Sequence, residues 1–367
     1  MTYLDYQATT PLAPQALAAM LPWLEAQHAN PHSAHAPGRA ARAAVEVGRE
    51  SIAALMPPGG TVAFTSGATE ALNWAIKGTQ GPIVTLATEH AAVLDTVAAE
   101  ARMGRDLTVL PVKPDGLVDL HVAERAIVPE TGLVAAMLVN NEIGVIQPVA
   151  ALAELAHRAG ALMLCDAVQG YGRIDVPDGC DMVAASAHKL HGPKGIGALW
   201  LRDGVMPAPL LHGGGQEAPG RSGTLSPALC AGFGAAARLA AASRAGDMAH
   251  VATLFYAACD ALEVGGKGGW QLNGSPTDRY PGNLNLRLDG LDVARLMSEC
   301  RDIAFSAGSA CASGSGRPSH VLRAIGLTDA QARSSIRIGF GRDTTRDALL
   351  AALDRIDRAA RTQRMAA

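Results

Sequence analysis

Short apolar runs alternate with helical stretches through the middle of the chain, and this rhythm constrains the fold more than any other feature. Ile83–Ala87, Leu107–Val112, Val134–Asn140, Ala161–Cys165, Met182–Ser186 and Gly197–Leu201 read as strands, preceded by the short apolar piece Val62–Phe64. Ala91–Met103 reads as a helix. Val149, Leu152, Leu155, Ala156 and Ala159 share one helical face, and Gly160 is placed to end that helix. Strand and helix alternating at this spacing predict βαβ units, hence an α/β fold with a mostly parallel sheet covered by helices on both faces. From about Ala249 the pattern changes. Glycines cluster at Gly265–Gly269, prolines punctuate a loop-rich passage, and Asn283–Leu288 alternates like a half-buried strand. A second, α+β unit is expected there, with a boundary near residue 250.

Composition narrows the function classes. With 367 residues the chain can hold a large domain and a small one, and 49% hydrophobic against 18% charged residues predicts a packed protein. A net charge of −3 offers no footprint for nucleic acid and no basic face for a membrane. The cysteines are Cys165, Cys180, Cys230, Cys259, Cys300 and Cys311. None form a C-x-x-C pair, which argues against a zinc site, so no metal is expected. Their scatter through apolar segments is unlike a secreted disulfide framework and fits a reducing, cytoplasmic compartment. The first residues show no secretory signal pattern.

Ligands in open α/β sheets bind beyond the carboxyl ends of the strands, and polar residues stand there. His90 follows Ile83–Ala87, Asn140, Asn141 and Glu142 follow the third run, Asp166 follows Ala161–Cys165, and Ser186, His188 and Lys189 close the next. Singly, each has an ordinary explanation as a cap, a turn residue or a structural histidine. Together they offer a specific chemistry. A lysine in a dry pocket can form a Schiff base. A carboxylate can keep a pyridine nitrogen protonated, and a histidine can stack on the ring or move protons. These are the groups that pyridoxal phosphate (PLP) requires. Thr65-Ser66-Gly67-Ala68-Thr69-Glu70, before a helical pattern, could cradle a phosphate or simply start a capped helix. It is neither a G-x-G-x-x-G fingerprint nor a Walker A loop, which disfavours a dinucleotide oxidoreductase.

Two further features stand out. Ser306-Ala307-Gly308-Ser309-Ala310-Cys311-Ala312-Ser313-Gly314 is a run of small residues around one thiol, suited to a nucleophile that must swing, or to an incidental exposed cysteine. Arg337, in the strand-like Ser334–Gly339, could grip an amino-acid carboxylate or form a surface ion pair.

The chain resembles the cysteine desulfurases, a PLP family of the aspartate-aminotransferase fold within the class-V aminotransferase group. The likeness runs nearly end to end on long motifs: Tyr3-Leu4-Asp5-Tyr6 with Ala8-Thr9-Thr10-Pro11, Ser66-Gly67-Ala68-Thr69-Glu70, Thr88-Glu89-His90, Val139-Asn140-Asn141-Glu142-Ile143-Gly144, Asp166-Ala167-Val168-Gln169, Ser186-Ala187-His188-Lys189, Gly192-Pro193-Lys194-Gly195, His212-Gly213-Gly214-Gly215, Arg221-Ser222-Gly223-Thr224 and Gly308-Ser309-Ala310-Cys311. It implies fold type I, with a seven-stranded large domain over 15–249. Residues 1–14 and 250–367 would form the small domain that carries the Cys311 loop. Lys189 would hold the cofactor, Asp166 would pair with the pyridine nitrogen, Gln169 with the ring hydroxyl, and His90 would stack and assist proton transfer. Lys194 would be structural. Ala68, Thr69, Ser186 and His188 would hold the phosphate with Thr224 of a second subunit, which implies a homodimer with shared sites. Asn30, Asn141 and Arg337 would orient the carboxylate of L-cysteine. Its sulfur would pass to Cys311 as a persulfide, leaving alanine.

The passage from Cys311 to Pro318-Ser319-His320-Val321-Leu322 resembles the family's longer-loop form, which favours an iron–sulfur scaffold or a thiolation protein as sulfur acceptor. Ala307 stands where a second serine is common, and the chain ends soon after its last expected helix, without the longer tail of some relatives. Rival readings are another enzyme of this fold, such as an aminotransferase or a selenocysteine lyase, and a non-catalytic partner protein. Cys311 separates the first from a desulfurase, since transamination needs no thiol. An intact lysine, aspartate, histidine and thiol argue against the second.

Overall fold

The computed structural model describes residues 1–218, 220–308 and 318–365. Seven strands form the large sheet: β1 (Gly60–Thr65), β2 (Ile83–Leu86), β3 (Leu107–Leu110), β4 (Leu133–Met137), β5 (Leu162–Asp166), β6 (Met182–Ser186) and β7 (Gly197–Arg202). Their order is β1-β7-β6-β5-β4-β2-β3, and only β7 runs antiparallel to its neighbours. Side chains alternate across the sheet, so each strand feeds two helical layers. Cys165, Val183 and Trp200 face one layer with Phe64 and Leu138. Leu164, Met182 and Leu199 face the other with Leu72 and Trp74.

The expected runs are all present, with ends moved by at most three residues. Asp166 is the last residue of β5 rather than the first beyond it. Helix Val149–Arg158 buries the expected face, and Gly160 follows it at φ 77°, a backbone angle that costs glycine nothing.

A second sheet is built from β8 (Gln271–Leu272), β9 (Asn283–Arg287), β10 (Ser306–Ala307) and β11 (Ser335–Gly339), in the antiparallel order β10-β11-β9-β8. Here one expectation needs correcting. Asn283–Leu286 is buried throughout instead of half-buried, because the polar side chains face protein and not water. Asn285 Nδ2 donates to the Glu142 carbonyl at 2.9 Å, and Asn283 Nδ2 to the Asn141 carbonyl at 3.2 Å. These bonds tie the second sheet to the loop after β4. The helix Pro227–Ala261, capped by Ser226, is continuous through residue 250. Residues 2–10 cross between the sheets. Thr2 and Tyr3 pair with Ile303 and Ala304, and Asp5 bridges to Gly339.

Candidate active site

A cavity of about 590 Å³ opens where β1, β4, β5 and β6 end. Ala68, Thr69, His90, Asn141, Asp166, Gln169, Ser186, His188, Lys189 and Arg337 all line it. Asn30 and Thr224 do not; both are exposed, and the Asn30 side chain accepts the N–H of His32 at 2.9 Å. Cys311 lies outside the described residues.

Asp166 is buried at the end of β5, where Oδ1 accepts the N–H of Val168 at 3.0 Å. Burial raises its pKa, while the neighbouring His90 and Lys189 pull it back down. His90 caps the helix Ala91–Arg102, its Nδ1 accepting the Ala92 N–H at 3.0 Å. A neutral ring therefore carries its proton on Nε2. Burial lowers the His90 pKa, so the neutral form is favoured. His188 is pushed down to about 4 by burial and by Lys189 and Lys194. Lys189 Nζ donates to the carbonyls of Gln7 at 2.6 Å and Ala8 at 2.8 Å.

One end of the cavity is built from backbone. Gly67 precedes the helix Ala68–Lys77, and no side chain caps that helix, so its first N–H groups face the cavity region formed by Ser66–Thr69. The nearby Glu70 carboxylate is neutralised by Arg221 at 2.8 Å and accepts the Ser66 N–H. Gly197 passes so close that a Cβ there would meet the Gly67 carbonyl carbon at 2.6 Å.

Arg337 is buried, not on the surface. Nη2 pairs with Asp5 at 2.8 Å, Nη1 donates to the Asn141 carbonyl at 3.0 Å, and Nε is buried without a partner in the described structure. It therefore keeps donor capacity for a carboxylate.

Reasoning from strand ends missed Gln7, Ala8 and Thr9, which line the cavity from a coil segment. Their only sequence signal was the Ala8-Thr9-Thr10-Pro11 motif. Lys194 lines the cavity too. Among the described residues no group of three or more His, Cys, Asp or Glu side chains could hold a metal ion, and no helix is long and apolar enough to cross a membrane.

The donor set fits PLP: an amine, a buried carboxylate and a histidine lining one cavity, with an uncapped helix start for a phosphate. Fold and site together define a PLP-dependent enzyme of fold type I. The chain belongs to the class-V aminotransferase family, whose pattern it matches over residues 2–351. It is 43% identical over 362 residues to "Cysteine desulfurase IscS" of Rickettsia bellii, covering 94% of this chain and 87% of the relative. It is 41% identical over 370 residues to "Probable cysteine desulfurase, mitochondrial" of Schizosaccharomyces pombe, covering 97% and 74%. The solved NifS-like protein from Rickettsia africae superposes with a TM-score of 0.89 at 28% identity, covering 98% of this chain and 99% of that one.

Proposed function

We propose that the protein is a PLP-dependent cysteine desulfurase that converts L-cysteine to L-alanine and takes the sulfur onto Cys311. The observation that carries this reading is the convergence of Lys189, Asp166, His90 and Arg337 on one cavity, in a chain similar along its length to named desulfurases.

When bound, PLP supplies an electron sink for the substrate's α-carbon. The chain's residues do the rest. Lys189 would hold the cofactor and would move the substrate's α-proton. Asp166 would meet the pyridine nitrogen, where a positive charge would favour the carboxylate that burial disfavours. His90 would stack on the ring and, with its proton on Nε2, would assist proton transfer. Gln169 would meet the ring's hydroxyl oxygen. Ala68, Thr69, Ser186 and His188 would hold the phosphate. Arg337, with Asn141, would orient the substrate carboxylate. The Cys311 thiolate attacks the substrate sulfur, so an S–S bond forms as the Cβ–S bond breaks. The bonding pair stays with carbon, which takes up a proton and leaves as alanine.

We read the enzyme as a homodimer. Leu17, Leu21 and Leu24 lie exposed on one face of the helix Pro14–Glu25, at 44%, 38% and 62% exposure, and such a stripe fits a self-association face. Thr224, exposed and away from the cavity, would then complete the partner's phosphate site. The division into 15–249 and 1–14 plus 250–367 belongs to the same reading, supported by the seven-stranded and four-stranded sheets coming from separate stretches of the chain. So do a cytoplasmic location and an iron–sulfur scaffold or thiolation protein as acceptor.

The test is alanine release from PLP-loaded protein given L-cysteine and a reductant, beside Cys311→Ala. Alanine from the wild type and almost none from the variant is expected. Equal release from both would remove Cys311 from the reaction, and none from either would overturn the desulfurase assignment.

A further inference from the structure

The side-chain amide of Gln169 sits between two partners that decide which way round it lies. Its Oε1 accepts from Arg173 Nη1 at 2.8 Å, and its Nε2 donates to the Gln7 carbonyl at 2.9 Å. Arg173 Nη1 also donates to the Gln169 carbonyl at 3.0 Å, and Nη2 to the Lys189 carbonyl at 2.8 Å. The guanidinium is held 5.1 Å over the Tyr280 ring. Gln169 and Lys189 line the cavity, whereas Arg173 stands behind it. One cation outside the site is therefore bonded to two residues inside it.

The two ends of a glutamine amide have the same shape, so a flip is decided by hydrogen bonds and charge. Flipped, the NH₂ group would face the Arg173 cation, and Oε1 would face the carbonyl oxygen of Gln7. Two hydrogen bonds, one of them charge-assisted, would become two repulsions. In the observed sense Nε2 spends one of its two hydrogens on Gln7 and keeps the other. Oε1 is occupied by the guanidinium.

We infer that Arg173 is a positioning residue that fixes the sense of the Gln169 amide, so that Gln169 can only donate to the cofactor's ring oxygen. This rests on the assignment of Gln169 to that oxygen made above. A donor favours the ring oxygen without its proton, whereas an acceptor would favour the hydroxyl. Arg173 thus biases the cofactor's protonation without touching it, and its bond to the Lys189 carbonyl holds the backbone from which the cofactor-bearing lysine projects.

The experiment is the absorption spectrum of the PLP-loaded enzyme across pH, with a thermal midpoint for every variant. R173M removes the charge and keeps bulk. It is expected to move the ratio of the visible band to the near-ultraviolet band about tenfold toward the near-ultraviolet, the worth of one charge-assisted bond. Q169L is expected to shift the ratio in the same sense, and the R173M/Q169L double variant no further than Q169L alone. R173K, which keeps a cationic donor, is expected to stay near the wild-type ratio. A lower midpoint for R173M with a wild-type spectrum would make Arg173 merely structural and overturn the inference. So would additive shifts in the double variant, or R173K shifted as far as R173M. Should R173M not fold, R173Q is read in its place with the same expected shift, and a wild-type ratio there is equally fatal. A wild-type spectrum from Q169L would instead sink the assignment of Gln169 itself, and the two failures are thereby told apart.

Discussion

Gly197 opens β7 against the backbone of Gly67, with no room for a methyl group between them. Gly197→Ala is therefore expected to push the start of the helix Ala68–Lys77 outward. Stability should fall by about 1–3 kcal/mol, as overpacking usually costs, and PLP should bind more weakly in a reconstitution titration. Glu89 is fully buried beside the site. Its Oε1 accepts the Met137 N–H at 2.8 Å, and Oε2 has no partner in the described structure. Burial holds its carboxyl well above the usual carboxylate range. The folded protein thus keeps a proton that the unfolded chain loses near pH ~4.3. More protons are bound folded than unfolded, so stability falls as pH rises from there toward the raised folded value. Glu89→Gln, which keeps the acceptor and cannot ionise, is expected to flatten that decline in thermal midpoints measured across pH. Lys189, Asp166 and His90 were legible because reactive residue types stand within three residues of the ends of apolar runs. Arg337 was legible by type but not by setting, since one arginine in a strand does not reveal that Asp5 meets it from the other end of the chain.

At the scale of elements, the loop after β4 ties the two sheets together and also reaches both flanks of residues 309–317. Asn285 Nδ2 bridges the Glu142 and Gly308 carbonyls at 2.9 and 3.4 Å, and Ser319 Oγ donates to the Glu142 carboxylate. Burial raises the Glu142 pKa and the Ser319 bond opposes that rise. Ser319→Ala leaves this buried carboxyl short of a donor. It is expected to cost about 1–3 kcal/mol in denaturant unfolding. Persulfide formation on Cys311, followed by quench and mass measurement, should slow more than substrate affinity weakens. The central strands were readable from apolar runs because they are buried on both faces, whereas the edge strand Leu107–Leu110 leaves Thr108 and Val109 exposed. Their ends were less so, since Leu138 and Val139 remain apolar after the ladder stops, at a place where the chain turns to form the site. The burial of β9 could not be read from alternation, because its asparagines imitate a solvent face while bonding to another loop.

At the scale of the whole molecule, the exposed leucine stripe on Pro14–Glu25 and the exposed Thr224 make one prediction together. Leu17→Asp with Leu21→Asp is expected to shift sedimentation from dimer to monomer and to weaken PLP retention, because each phosphate site would lose its second-subunit hydroxyl. Unchanged sedimentation would count against this face. The threading of residues 2–10 has a different kind of consequence, one of timing. Gln7 and Ala8 hold the Lys189 amine, yet their own segment is seated by Ile303, Ala304, Arg337 and Gly339. On a ribosome adding about 5–20 residues per second, the stretch made first waits tens of seconds for the partners made last. Chains stalled before residue 303 should contain the whole large sheet and still lack the visible band of bound cofactor. Capture of the cofactor would then come late, after the second sheet is made, so a cell holding too little PLP would accumulate folded chains without cofactor, not arrested ones.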